Sequence, residues 1–164
     1  MRTVSLQSVI DWCPCADFPD DRIRELFAGR DEISFADIFV MDIGLDEKLW
    51  AGLRECFFTA DVLAKLADEY IEILDEIENT PEESVHIAIQ AARCARSGHF
   101  DNLPVQDQTQ RWMSGATEQE RRTGIAALWT AVAMARSSAD HDSAWETERT
   151  RQLMLAAVEV CNAD

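Results

Sequence analysis

The strongest constraint on the fold is an apolar stripe in residues 60–78. Apolar side chains recur there at spacings of three and four, which places them on one face of an α-helix. Thr59 stands where a helix N-cap is expected. The stripe consists of Leu63, Leu66, Ala67, Tyr70, Ile71, Leu74 and Ile77. The opposite face carries Asp61, Asp68, Glu72, Asp75 and Glu76, with only Lys65 among them. The pattern predicts a helix with one face in a core and one carboxylate-rich face.

Two further helices carry capping signals. Thr80-Pro81-Glu82-Glu83 indicates an N-cap, a proline in the first turn and a capping box, and this helix is expected to end at Gly98. Thr117-Glu118-Gln119-Glu120 is a second capping box, which opens an Ala-rich helix over residues 118–138. Its small side chains let a neighbouring helix approach closely. These signals predict long, antiparallel helices after residue 59.

The N-terminal third predicts shorter elements, because Gly and Pro interrupt it often. No segment combines strand alternation with hairpin turn chemistry. Helices are expected at 6–12, 19–28, 34–41, 46–57 and 142–160, and a loop at 100–110. We therefore predict an all-α protein of about seven or eight helices. It forms a single domain over 1–164, with an acidic short-helix part at 1–58 and a helical bundle at 59–164.

The negative charge is concentrated in the first half of the chain. The net charge is −16, and residues 1–83 hold 21 acidic residues against 7 basic ones, a net charge of −14. Such a field repels phosphate, which argues against direct binding to nucleic acid or to an anionic membrane. It attracts a basic surface instead. The predicted partner-binding acids are Asp61, Asp68, Glu72, Asp75 and Glu76, together with Asp37, Asp42, Asp46 and Glu47.

The cysteine pattern favours a reducing compartment. The chain has five cysteines, an odd number, and its N-terminal sequence lacks the long apolar run of a secretion signal. We expect reduced thiols and a cytoplasmic location. Cys13 and Cys15 form the one close thiol pair, and zinc sites usually need two such pairs. The interpretation that we favour is a turn with no metal and no cofactor.

One carboxylate pair leaves an enzymatic alternative open. Glu69 and Glu72 form an E-x-x-E pattern on the predicted helix 60–78, and all-helical nucleotide pyrophosphatases bind magnesium through such a pair. They use a second acidic pair on the following helix, where this chain offers only Glu82-Glu83. No other nucleophile or phosphate-loop motif occurs. A metal-dependent nucleotide hydrolase is therefore the first alternative, and a helical scaffold or oligomerisation module is the second.

Residues 87–98, IAIQAARCARSG, resemble the AIEAAR-x-xA-x-G helix of small all-helical bacterial and phage proteins labelled immunity proteins. The later Ala/Trp-rich helices and the ERTRQL sequence at 148–153 look similar as well, so that the resemblance covers residues 62–160. It implies a toxin-neutralising or phage-associated role, and it transfers no catalytic residue. The first 60 residues are more acidic than this pattern.

The charge pattern and the resemblance predict the same class of function. We expect a non-enzymatic inhibitor that occupies the basic, nucleic-acid-binding surface of a partner protein, for example a nuclease. Toxin immunity and phage anti-defence, as in anti-CRISPR proteins, are two versions of this function. The sequence leaves the partner and the oligomeric state open.

Overall fold

The computed structural model describes residues 2–12, 18–101, 103–104 and 107–163. Within these ranges the fold is all-α, as predicted, apart from one small sheet. The N-terminal part (residues 2–58) holds β1 (Thr3–Ser5), α1 (Leu6–Asp11), α2 (Asp20–Phe27), β2 (Glu32–Ser34), α3 (Phe35–Val40) and α4 (Leu45–Gly52). The helical bundle (residues 59–163) holds α5 (Ala60–Glu72), a 3-10 helix (Ile73–Glu76), α6 (Glu83–Arg96), α7 (Asp107–Met113), α8 (Glu118–Ser137) and α9 (His141–Ala163).

The two-stranded sheet was not predicted. β1 and β2 pair antiparallel, with Val4 opposite Ile33. Each strand has three residues, which is too short for a period of two to be visible in the sequence. Each strand also ends on a serine that caps the next helix: the Ser5 hydroxyl accepts from the backbone N–H of Ser8, and Ser34 forms a capping box with Asp37. The sheet thus fixes where α1 and α3 begin.

Helix α8 lies at the centre of the bundle. It contacts α5, α6, α7 and α9, and residues 123–133 are all buried. The predicted capping box of Thr117 and Glu120 is present. Arg136 near the end of α8 donates to the carbonyl of Ser84 near the start of α6, so these two helices run antiparallel. Alanines of α8 allow the close approach, as expected.

Four predicted boundaries are wrong. The helix predicted over 46–57 ends at Gly52. The helix predicted over 60–78 ends at Glu72 and continues as the 3-10 helix, because Arg151 donates to the carbonyls of Glu69 and Tyr70 at its end. Helix α6 starts at Glu83 after Glu82, without a side-chain cap, so Thr80 does not form the predicted capping box. Part of the predicted loop at 100–110 belongs to α7, and the helices described exceed the predicted seven or eight.

One hydrophobic core joins the two parts of the molecule. Phe35 of α3 packs edge-on against Phe57 and Phe58, with ring centroids 6.0 and 5.6 Å apart. Trp112 stands in a polar stretch of the sequence but is only 3% exposed. Its indole lies against Gly124 of α8, where a Cβ would overlap the ring. The tryptophan and the glycine are therefore complementary.

Candidate partner-binding surface

The carboxylates predicted on α5 and its extension face solvent. Leu63, Leu66 and Tyr70 are fully buried, and the helix period turns the acids away from them. The exposed set is Asp61, Asp68 and Glu72 on α5, with Asp75 and Glu76 on the 3-10 helix. The five predicted site residues of this segment therefore lie on the surface of the molecule.

Arginines of α6 interrupt this acidic face. Arg96 donates from Nε to Asp68 at 2.5 Å, and Arg93 reaches Asp75 at 3.1 Å and Glu78 at 2.7 Å. Both arginines stand in the last turn of α6, where the helix dipole favours cations. Asp68 and Asp75 are thus each paired with an arginine, which the sequence does not predict. The pairs are half exposed, so water and salt weaken them.

The densest exposed negative charge lies further along the chain, at the connection from the 3-10 helix to α6. We call residues 72–83 the acidic turn. It has six exposed carboxylates: Glu72, Asp75, Glu76, Glu78, Glu82 and Glu83. In the described residues only Arg93 pairs with any of them. The sequence predicts a capping role for Glu82 and Glu83, and Glu78 is not among the predicted partner-binding acids. Because no capping box forms, both glutamates are available to a partner.

Three of the four acids predicted in the N-terminal part have internal partners. Asp37 accepts from the backbone N–H and hydroxyl of Ser34 and from Arg30, and these bonds lower its pKa to about 2. Asp46 binds Arg149 of α9 at 2.5 Å. Glu47 lies 3.7 Å from Arg111.

Asp42 is exposed and has no ion pair among the described residues. Helices α3 and α4 pack on α9, whereas the 3-10 helix packs on α5 and α8. The N-terminal acids of α3 and α4 therefore belong to a different part of the molecule from the acidic turn.

A buried arginine in a tryptophan cage is a feature that sequence reasoning missed. The guanidinium carbon of Arg54 lies 4.5 Å from the ring centroids of Trp12 and Trp50 and 5.1 Å from that of Trp112. Glu120 of α8 accepts from its Nη1 at 3.1 Å. Burial lowers the pKa of Arg54, and the charge of Glu120 opposes this shift. The cage joins the N-terminal part to the bundle, and its chemistry is that of a cation held by aromatic rings and one carboxylate.

A second buried polar cluster explains the ERTRQ sequence at 148–152. Arg149 is 2% exposed and binds both Asp46 and the side-chain carbonyl of Gln152. The side-chain amide of Gln152 donates to Glu148 and to the backbone carbonyl of Ala127. The Tyr70 hydroxyl donates to the backbone carbonyl of Gln152. Burial raises the pKa of Tyr70. The charged residues of this segment thus fasten α9 to α4, α5 and α8.

The N-terminal part also contains a small apolar cavity of about 50 Å³. We call it the N-terminal cavity. Its walls come from α1, α2, β2, α3 and α4 and from Arg111 of α7, and they are apolar except for Glu47 and Arg111. A void of this size costs on the order of 1 kcal/mol relative to a filled core.

Among the described residues, no second acidic pair lies beside Glu69 and Glu72. Lys65 lies 3.6 Å from Glu69, and Glu72 is exposed at the end of α5. Among the residues described, no group of three or more His, Cys, Asp or Glu side chains could hold a metal ion. Cys13 and Cys15 lie outside the described residues.

The described cysteines and histidines are the remaining nucleophile and base candidates. Cys56, Cys94 and Cys161 are free thiols, and burial raises the pKa of Cys56 to about 12, which keeps it protonated. His86, His99 and His141 are exposed.

Comparisons with protein-family models, with curated proteins and with solved structures find no match for this chain. None of the helices in the described ranges combines the length and apolarity that a bilayer crossing requires. Its function is therefore inferred from its own geometry and charge.

Proposed function

We propose that this protein is a non-enzymatic inhibitor whose acidic surface occupies the basic, nucleic-acid-binding face of a partner protein. The proposal rests on the acidic turn, which has six exposed carboxylates. Among the described residues, Arg93 is the one basic residue that pairs with any of them. A nuclease toxin and a host defence nuclease both present such a basic face, so toxin immunity and phage anti-defence remain the two versions of this function.

The physics of the surface supports binding by charge. Carboxylates that follow one another along the 3-10 helix and the first turn of α6 can stand in for a run of phosphates on a basic groove. A net charge of −16 steers a cationic partner towards this surface and raises the association rate. The same charge repels nucleic acid itself, so the partner is a protein rather than DNA or RNA.

The test is a pair of charge reversals matched in size. Glu72→Lys with Glu76→Lys changes two exposed, unpaired carboxylates of the acidic turn. Asp101→Lys with Glu146→Lys changes two exposed acids elsewhere by the same total charge. Partners are captured from host lysate with the native chain at low salt, identified by mass spectrometry, and their association rates are measured. We expect the first variant to lose at least tenfold in association rate at low salt, and the second to lose much less.

A partner that binds both variants equally, across salt concentrations, would contradict the proposal. Captured nucleases or other basic nucleic-acid-binding proteins support it, and acidic or uncharged partners oppose it. Unfolding midpoints of both variants provide the control, because the four residues lie on the surface and their reversal leaves the core intact.

The two alternatives receive less support from the described residues. The hydrolase would need a second acidic pair beside Glu69 and Glu72, and the structure places Lys65 there. The scaffold would need an apolar face; Met154 and Val158 on α9 are each half exposed, but two side chains are far less than a stable interface requires.

A further inference from the structure

The N-terminal cavity lies between the core and the surface of the molecule. Ile23 and Ile38 are buried on its inner side, whereas Leu26, Met41 and Ile43 are only half buried on its outer side. The methionine side chain is unbranched and flexible, so it moves aside at little cost. A small molecule can therefore reach the cavity from solvent without disturbing the core.

The size of the cavity limits what it can hold. Its volume of about 50 Å³ is more than one water needs, and it is about a third of that of a cavity that holds benzene. By this comparison about two carbon atoms fit inside, so the cavity accepts the end of an aliphatic chain and excludes an aromatic ring. Apolar walls give a water molecule few of the hydrogen bonds that it needs, which makes an apolar group the better occupant.

The two charged residues on the cavity wall favour an uncharged occupant. Glu47 and Arg111 lie 3.7 Å apart and compensate each other's charge. Among the described residues, the wall therefore offers no uncompensated charge to an ionic ligand. An ionic group at the edge of the cavity would lose part of its hydration without gaining a counter-charge, whereas an uncharged polar group avoids most of this cost.

We propose that the N-terminal cavity is a binding site for the aliphatic end of a small uncharged molecule. Largely apolar walls with one pair of polar side chains are the usual lining of small-molecule sites in proteins. The inference is independent of the proposed function, because the cavity lies in the N-terminal part and the acidic turn lies in the bundle.

A set of probes with the same alkyl chain and different charges tests the site. The probes are n-propanol, propionate and n-propylammonium, and ethanol is the shorter uncharged control. Dissociation constants are measured by NMR titration of the full chain in high salt, which screens the long-range field of the protein. We expect n-propanol to bind about tenfold more tightly than either ion. It should bind about fourfold more tightly than ethanol, because one more methylene leaves water. An ion that binds as tightly as n-propanol overturns the proposal.

Two matched substitutions locate the bound molecule. Ala51→Leu places a larger side chain on the cavity wall and should weaken the binding of n-propanol about tenfold or more. Ala36→Leu makes the same change at an exposed position of α3 that does not line the cavity, and should leave the binding unchanged. Binding that survives Ala51→Leu overturns the proposal, and so does an equal loss in both variants.

A measurement on the native chain covers the case in which Ala51→Leu fails to fold. Intermolecular NOEs are expected from the methyl group of n-propanol to the methyl groups of Ile23 and Ile38, which only a molecule inside the cavity can approach. Their absence at saturation overturns the site. The two proposals fail separately: reversal of Glu72 and Glu76 without effect on partner capture contradicts the proposed function alone, and lost binding of n-propanol contradicts the cavity site alone.

Discussion

Asp37 and Asp46 in the N-terminal part have surroundings opposite to those of the carboxylates in the acidic turn of the bundle. In the N-terminal part, Asp37 and Asp46 are held by arginines and backbone N–H groups. In the acidic turn of the bundle, Glu72 and Glu76 face solvent without a partner among the described residues. The first half of the chain therefore owes part of its excess charge to structural acids. A count of charges along a sequence locates a binding surface only after these acids are set aside.

The two regions also differ in packing. The bundle surrounds α8 with alanines and a close-fitting Gly124, whereas short helices and a three-residue sheet in the N-terminal part leave a cavity. Short elements bury less apolar surface each, so their joints are filled less completely. The cage around Arg54 is the main polar joint between the two regions.

The largest expected effect comes from breaking that joint. Glu120→Ala leaves the Arg54 guanidinium buried without its carboxylate and removes the Glu120 half of the capping box of α8, so we expect a loss of about 3–5 kcal/mol in the free energy of unfolding. Urea unfolding followed by tryptophan fluorescence measures it. Combining Glu120→Ala with Arg54→Met should recover part of the loss, because no buried charge remains.

If Glu120→Ala lowers the free energy of unfolding no more than Glu118→Ala does, the contact of Arg54 with Glu120 does not hold the two regions together. Glu118 is the matched control because it lies in the same helical turn, is mostly exposed and pairs with Arg122 at the surface. Its loss is expected to cost less than about 1 kcal/mol.

Removing one negative charge should lower the free energy of unfolding at Asp46 in the N-terminal part and leave it nearly unchanged at Glu76 in the acidic turn. Asp46→Asn deprives the buried Arg149 of its carboxylate, and we expect a cost of about 2 kcal/mol because Gln152 and Trp145 still hold the guanidinium. Glu76→Gln removes an exposed, unpaired charge and should change stability by less than about 0.5 kcal/mol. Parallel urea titrations compare them, and equal costs would remove the distinction between structural and available acids.

The sequence predicted elements wherever the signal was local. The stripe of Leu63, Leu66 and Tyr70 gave the buried face of α5, and Thr117 with Glu120 gave the start of α8. Thr80 carried the same signal and failed, because the chain starts α6 three residues later. β1 and β2 were missed because their pairing joins residues about 30 positions apart.

The site was harder to predict than the fold, because ion pairs connect distant positions. No sequence pattern near Asp46 predicts its ion pair with Arg149, and none near Arg54 predicts its ion pair with Glu120. The one available signal was the position of Arg54 in LRECFF, a mostly apolar segment whose only other charged residue is Glu55, because a charge that is buried there needs a buried partner. The acidic turn itself is visible in the printed sequence, but the exposure of Glu82 and Glu83 depends on how α6 begins.

The difference in packing predicts opposite responses to one added side chain. Ala126→Leu inserts bulk into the fully buried face of α8 and should destabilise the protein by about 1–3 kcal/mol. Ala51→Leu fills the N-terminal cavity and should be neutral or stabilising by up to about 1 kcal/mol. Thermal unfolding by calorimetry measures both. Destabilisation of similar size at the two positions would show that the N-terminal part is as tightly packed as the bundle.

A small effect is expected at Asp37, and its pH dependence identifies the cause. Its pKa falls from 3.8 to about 2 in the folded protein, mainly because the hydroxyl and backbone N–H of Ser34 donate to the carboxylate. A lowered folded-state pKa contributes stability above the unfolded pKa, and this contribution is lost as the pH falls towards 2. Since the side chain is 32% exposed, solvent screening reduces the contribution to about 1 kcal/mol at neutral pH.

Asp37→Asn should therefore cost about 1 kcal/mol at pH 7, and its urea midpoint should converge with that of the native chain between pH 4 and pH 2. Asp42→Asn, which removes an exposed acid without an ion pair among the described residues, should show no such gap at any pH. A gap for Asp37→Asn that stays constant down to pH 2 would mean that the side chain acts by shape rather than by charge, and that this acid is not one of the charged structural carboxylates of the N-terminal part.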